Sequence, residues 1–320
     1  MIGLDGQEIQ YRPGPTCPQA PLMPKKRSKC PFLETTASFR SLARGSLLKS
    51  LVIRGIGGLL RMCDRTLLQS LPVRGKSIFA AAGLAGLYVT YAACCPLAQV
   101  WGRSFHRGPR GRRQIALTFD DGPSDCTPAV LDVLERYDLR ATFFVCGENV
   151  ERFPELVREI TAAGHEIGNH TYPHAALLPR NAAQIRLELE RTQDAIENAA
   201  GVRPRLFRPP YGVRAPSLRG IQAELGLTTV LWTVIANDWK LGRAAITERV
   251  LRRAGEGDII CLHDGNQVYH PAERRETVAA LPEIVEGLRG RGFRFVTAGR
   301  MLDELNGGEG LAPRSSESRI

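Results

Sequence analysis

The chain lacks the cysteine spacing of a zinc ribbon. Its eight cysteines include no CxxC pair, and only Cys126, Cys146 and Cys261 lie beyond residue 113. That excludes the common zinc-ribbon spacings and a disulfide-dense scaffold. Cys146 and Cys261 stand in apolar, strand-like runs, where an unpaired cysteine usually behaves as a small hydrophobe. Acidic residues are scarce at one end. Residues 1–113 hold 18 Lys+Arg against 4 Asp+Glu, a net of +14, whereas residues 114–320 hold 25 against 29, a net of −4. The overall charge of +10 therefore belongs to the first third of the chain. A basic flank beside an apolar run points to membrane topology or anionic lipid, and nucleic acid is not expected as a partner. Histidine is also rare, at six residues in 320, so any pair of them at close spacing carries weight.

What is present divides into three stretches. Residues 1–77 are basic and, as far as about residue 45, rich in Pro, Lys, Arg and Ser with no sustained apolar period, the composition of a largely disordered extension. Ile78–Val100 then runs for 23 residues without a formal charge, and about 20 apolar residues suffice to cross a bilayer. Arg74 and Lys76 precede it, and Arg103, Arg107, Arg110, Arg112 and Arg113 follow, so the positive-inside rule leaves its orientation open. A membrane anchor is the leading expectation for 78–100. A cleaved signal on a chain starting at Met62 comes second, and a buried helix third. Residues 101–111 read as a basic linker and 302–320 as a flexible tail.

From 112 to 301 the pattern alternates. Strand-like runs fall at 114–119, 141–146, 165–169, 206–209, 228–234, 258–263 and 293–297, separated by helical stretches that often end in Gly. About seven strands alternating with helices predict an α/β fold with parallel strands, either a barrel or a doubly wound sheet. In a barrel the chemistry belongs at the C-terminal ends of the strands, and the polar motifs fall there.

Thr118-Phe119-Asp120-Asp121-Gly122-Pro123 closes the first run. Neighbouring side chains on an extended chain diverge, so one aspartate can bind a metal while the other faces a reactant; alone, the pair could equally be a solvated Asp-Gly turn. His170 and His174, at i and i+4, can share one face of a helical turn and ligate one ion, completing with a carboxylate the three-ligand set of a catalytic zinc site. Arg208-Pro209-Pro210-Tyr211-Gly212 is a rigid loop with two backbone donors removed. Trp232 to Trp239, with Asp238, leaves a strand, and its aromatic residues could equally be core. Leu262-His263-Asp264 ends an apolar strand, where a histidine suits proton transfer or is simply a satisfied core residue. His165 is expected to be structural.

In this order and spacing the five motifs resemble the polysaccharide deacetylase family, also called the NodB-homology domain or carbohydrate esterase family four, over residues 112–301. The resemblance implies a distorted (β/α) barrel that removes acetyl groups from N-acetylated sugars. It implies Asp120 as general base and Asp121, His170 and His174 as ligands of a divalent metal, with Zn2+ favoured and Co2+ or Ni2+ also accepted by such a set. It further implies Arg208 orienting Asp120, the Tyr211 backbone N–H stabilising an oxyanion, His263 as general acid, and Trp239 and Leu262 lining the acetyl pocket. The fourth motif commonly reads D-x-x-D-W, and here Ile235 stands in the first position while Asp238 and Trp239 remain; whether Asp238 partners His263 is left open. The expected partner is an acetylated glycan of the cell envelope. O-acetyl esterase or deformylase activity on a glycan or lipid-linked sugar is the alternative chemistry, and a degenerate glycan-binding domain the non-enzymatic one.

Overall fold

The computed structural model describes residues 73–266 and 273–307, so the expectations for residues 1–72 and for the end of the tail lie outside the described residues. Strand β1 (Ser104–Phe105) comes first, then β2 (Gln114–Asp120), β3 (Thr142–Val145), β4 (Glu166–Asn169), β5 (Leu206–Phe207), β6 (Thr228–Val230), β7 (Val234–Ile235), β8 (Ile259–His263) and β9 (Arg294–Phe295). Eight of them form one path, β1-β6-β5-β4-β3-β2-β8-β7, and β9 pairs with β2 off that path. Every strand pairing is parallel. The architecture is an open, curled parallel sheet wrapped by helices, as an alternating pattern requires.

Two strands beyond the expected seven have physical causes. The run at 228–234 splits, because β6 pairs with β5 and β1 whereas β7 pairs with β8 on the far side of the path. Leu231–Thr233 crosses the gap between the sheet's two edges. Strand β1 arises in a basic, Pro- and Gly-punctuated segment whose two residues give no periodic signal.

Helices fill the connections. They are α1 (Val73–Cys94), α2 (Thr127–Arg136), α3 (Gly147–Arg152), α4 (Pro154–Ala162), α5 (Ala182–Ala200), α6 (Leu218–Leu225), α7 (Arg243–Arg253), α8 (Arg275–Gly290) and α9 (Ala298–Leu305). Helix α5 shows why the chain breaks where it does. Asn181 and Gln184 form a reciprocal capping box at its start, and Gly201 ends it in the left-handed conformation at φ 69°. The main core lies between β2, β3, β8 and the helices, built on Ile115, Leu117, Phe119, Phe143, Ile260 and Leu262. Met301 and Leu302 of α9 pack into a second cluster with Phe105, Phe144 and Val230, so the packed unit begins before residue 112 and runs past 301.

The apolar segment 78–100 differs from the spanning helix expected of it. Helix α1 stops at Cys94, and the chain turns at Pro96 back onto the domain. Its uncharged part, Ile78–Cys94, measures about 26 Å at the rise of an α-helix, against a hydrocarbon core of about 30 Å. Among the described residues no helix is long and apolar enough to cross a membrane. The last turn is instead built into the fold. Ala92 and Ala93 are buried with Trp101 and Val213, and the fully buried Arg214 donates to the carbonyl of Ala93, left without an intrahelical partner at the helix C-terminus, and to those of Cys95 and Ala98 in the turn that follows.

Candidate active site

Five loops at the C-terminal ends of β2, β4, β5, β7 and β8 bring the polar motifs together. Strands β2 and β8 are neighbours in register, with Thr118 opposite Cys261 and Asp120 opposite His263. Because side chains alternate along a strand, Thr118, Asp120, Cys261 and His263 share the interior face, while Phe119 and Leu262 face the helix layer. Leu262 is therefore not a pocket-lining residue: it is fully buried in the main core, and the interior neighbour of His263 is Cys261.

Asp120 is held at both oxygens. Arg208 Nη1 donates to Oδ1 at 2.6 Å, and the Cys261 thiol donates to Oδ2 at 3.3 Å. Burial, then the charge of Asp120, push the Cys261 thiol well above its ordinary range, so it remains a donor. Arg208, itself fully buried, is fixed by donating to Thr118 Oγ1 at 2.7 Å and Val230 O at 3.1 Å, and its guanidinium lies 4.0 Å from the Phe144 ring centre. The last residue of β6 thus supplies the carbonyl that aims Arg208.

Asp121, next along the chain, points the other way. Its Oδ1 lies 3.3 Å from His170 Nε2 and 3.1 Å from His174 Nε2, yet no hydrogen bond reaches it. His170 Nδ1 sits 2.7 Å from the Arg208 carbonyl. A carbonyl only accepts, so Nδ1 carries a proton and Nε2 is the ring nitrogen turned toward Asp121. A buried carboxylate oxygen and two ring nitrogens converging in this way suit a cation between them. Two imidazoles and one carboxylate suit a divalent ion, and the three ligand atoms lie within 4.8 Å of one another.

The two histidines do not share a helical turn. Residues 170–174 form a loop in which Thr171 (φ 66°) and His174 (φ 56°) are left-handed. Pro173 disfavours the helical conformation at Tyr172, which removes that option. Asp121 (φ 72°), Tyr211 (φ 60°) and Asn237 (φ 58°) are also left-handed. Strain of this kind, costing about 1–3 kcal/mol per residue, persists where surrounding structure over-determines the backbone. Here the surroundings are visible: Asn149 Nδ2 donates to Asp121 O at 2.8 Å, and Thr171 N–H donates to Asn169 Oδ1 at 2.9 Å.

Asp238 is the partner of His263. Its Oδ1 accepts from His263 Nδ1 at 2.8 Å and its Oδ2 from the His263 backbone N–H at 2.8 Å, while Thr277 donates to Oδ2 at 2.9 Å. Burial alone would lower the His263 pKa; Asp238, by charge and hydrogen bond, with Asp121 and Asp120 behind it, raises it to about 9. The loss of a carboxylate at Ile235 is covered by Asp238. Trp239, 38% exposed, lies edge-on to His263 with ring centres 5.1 Å apart, and Tyr211 meets His174 in the same way at 5.0 Å.

Four residues here had no role assigned to them from the sequence. Thr118 and Cys261 lie two positions before Asp120 and His263, the strand period that marks them as interior neighbours. Asn149 and Thr277 reach the centre from helices. The glycines flanking the aspartates and Asp264 let the β2 and β8 loops touch: a Cβ on Gly122 would lie 2.3 Å from Asp264 Oδ2, and one on Gly265 would lie 2.1 Å from Asp121 O. Expected His165 is elsewhere, as a buried acceptor for the Ala141 N–H.

The family model for polysaccharide deacetylases matches residues 107–230. A peptidoglycan-N-acetylglucosamine deacetylase of Bacillus cereus is 37% identical over 197 residues, covering 61% of this chain and 70% of the relative. A chitooligosaccharide deacetylase of Bradyrhizobium is 40% identical over 197 residues, 58% of this chain and 89% of the relative. This chain belongs to the polysaccharide deacetylase family. A crystal structure of a peptidoglycan N-acetylglucosamine deacetylase matches it with a TM-score of 0.58 at 36% identity, over 62% of this chain and 92% of that one. The distorted barrel implied by the motifs is the fold of the polysaccharide deacetylase domain here.

Proposed function

We propose that this polysaccharide deacetylase is a metal-dependent hydrolase that removes N-acetyl groups from N-acetylglucosamine-type residues of a cell-envelope glycan. The observation that carries the reading is the register of β2 and β8, which sets Asp120 directly opposite His263 on neighbouring strands, beside the donor trio Asp121, His170 and His174. Those three residues would hold the divalent ion, which when bound polarises the acetyl carbonyl and acidifies water.

The remaining work falls to the chain's own groups. Asp120, oriented by Arg208, takes a proton from the attacking water as its oxygen adds to the acetyl carbon. The Tyr211 backbone N–H donates to the developing oxyanion, a contact typically worth about 3 kcal/mol. His263, kept protonated by Asp238, gives its proton to the sugar nitrogen as the carbon–nitrogen bond breaks, leaving acetate and a free amine. Trp239 supplies an apolar wall beside that step. The named activities of the two relatives support a carbohydrate amide as substrate. Acetate release from peptidoglycan, chitooligosaccharides and acetylated xylan, with and without a chelator, tests the proposal. Chelator-sensitive release from an N-acetylated glycan is expected. Release from xylan alone would move the reading to O-acetyl esters, and chelator-insensitive release would remove the metal from it.

A further inference from the structure

The interior face of β2 and β8 carries more donors than the proposed reaction uses. Asp120, Cys261 and His263 each offer a ligand atom, and these lie within 4.8 Å of one another, in a group that shares no residue with Asp121, His170 and His174. Arg208 engages Asp120 Oδ1 and Asp238 engages His263 Nδ1, so Oδ2 and Nε2 are the atoms left for a ligand. Cys261 Sγ already sits 3.3 Å from Oδ2. Zinc–sulfur and zinc–oxygen bonds meeting at a tetrahedral centre hold their ligand atoms about 3.5 Å apart, so that spacing needs little change.

We propose that Cys261, Asp120 and His263 form a second metal site, weaker than the first, that accepts a thiophilic divalent ion such as Cd2+ or excess Zn2+ and silences the enzyme when filled. One sulfur, one oxygen and one imidazole nitrogen select zinc and cadmium over magnesium, calcium or manganese. Binding breaks the Cys261 S–H bond and the His263 Nε2–H bond, forms a metal–sulfur and a metal–nitrogen bond, and releases both protons to solvent. The site is the weaker of the two for a Coulombic reason: Asp120 Oδ2 lies 4.0 Å from His170 Nε2, so an ion at the first site repels a second beside it. Filling it withdraws both Asp120 and His263. The inhibition rests on the deacetylase reading, whereas occupancy of the site does not. Zinc therefore supports turnover at low concentration and blocks it at high concentration.

The test uses the full chain stripped of metal and titrated with cadmium, reading bound ions by dialysis and elemental analysis and thiolate coordination by its ultraviolet charge-transfer absorbance. Wild type is expected to bind one more ion per chain than Cys261→Ser and to show a thiolate band that the variant lacks. His170→Ala should lose an ion but keep that band. Cys261→Val, which fills the space without a donor, should match Cys261→Ser and guards against a folding artefact in either. Acetate release should rise and then fall with zinc in wild type and only rise in Cys261→Ser, with excess magnesium inhibiting neither. Equal cadmium stoichiometry and equal absorbance in wild type and both Cys261 variants would overturn the site. Absence of acetate release with the cadmium difference intact would instead overturn the deacetylase reading alone.

Discussion

Two histidine–carboxylate groups face each other across this centre, and they are wired oppositely. In the first, His170 gives its Nδ1–H to the Arg208 carbonyl and turns Nε2 to Asp121, so carboxylate and imidazole meet at a shared point. In the second, His263 gives its Nδ1–H to the Asp238 carboxylate itself, which raises its pKa to about 9 and leaves Nε2 carrying a transferable proton. The residue types are the same. The partner of Nδ1 differs: Asp238, an anion, strengthens the hold of His263 on its Nε2 proton and suits it to act as an acid, whereas a neutral carbonyl orients His170 without that charge.

Breaking the first group should have the largest effect. His170→Ala is expected to lose bound metal and turnover together, measured by elemental analysis and acetate release. Asp120→Asn separates the functions: the amide keeps the shape but cannot take the proton. Turnover should fall by about 10²–10⁴-fold, the usual contribution of general base catalysis, with metal content unchanged. Equal metal loss in both variants would contradict this division of labour.

Breaking the second group should shift a pH profile and spare the metal. With His263 near 9, the acid stays protonated below that pH, and the rate falls as pH rises through it. Asp238→Asn removes the anion that raises the value, so the alkaline limb moves down toward the ordinary histidine pKa of about 6.5, a loss of roughly 30-fold at pH 8. Thr277→Val removes one donor to the same carboxylate. A lost hydrogen bond of about 1 kcal/mol should change the rate only a few-fold, with metal again retained. An alkaline limb unmoved in Asp238→Asn would show that His263 is not the acid.

These two groups also mark where the sequence could and could not be read. Asp120, Asp121, His170, His174 and His263 stand at the ends of apolar runs, so strand periodicity alone places them at one rim of a barrel. Leu262 illustrates the limit of reading by adjacency. It neighbours His263 in sequence, but a period of two turns it into the helix layer and brings Cys261 inward instead. Asn149 and Thr277 come from helices whose approach to the centre depends on how far each connection carries the chain, which no local pattern encodes. Strand β1 and the split between β6 and β7 follow from how the whole sheet pairs and curls, a global constraint. The end of α1 follows from Arg214, a residue more than a hundred positions away that caps it.

His165 sharpens the comparison by serving as a buried histidine with no carboxylate at all. Its Nδ1 accepts the Ala141 N–H at 3.2 Å, and its ring packs 5.4 Å from Phe143. Burial first, then the nearby Arg140 charge, lower its pKa to about 4, opposite in direction to His263. In the unfolded chain the same group titrates near 6.5. Between those values the unfolded state takes up a proton that the folded state refuses, so stability falls as pH drops from about 6.5 toward about 4 and is unaffected above that window. The limiting slope is about 1.4 kcal/mol per pH unit. His165→Gln keeps an acceptor for the Ala141 N–H but cannot titrate, so its stability should decline less steeply with acid than that of wild type. Urea denaturation of metal-free protein at intervals from pH 4 to 7 measures the difference, in which the carboxylates common to both chains cancel. Parallel curves would mean that His165 is protonated in the fold, and that burial without a carboxylate does not keep a histidine neutral here.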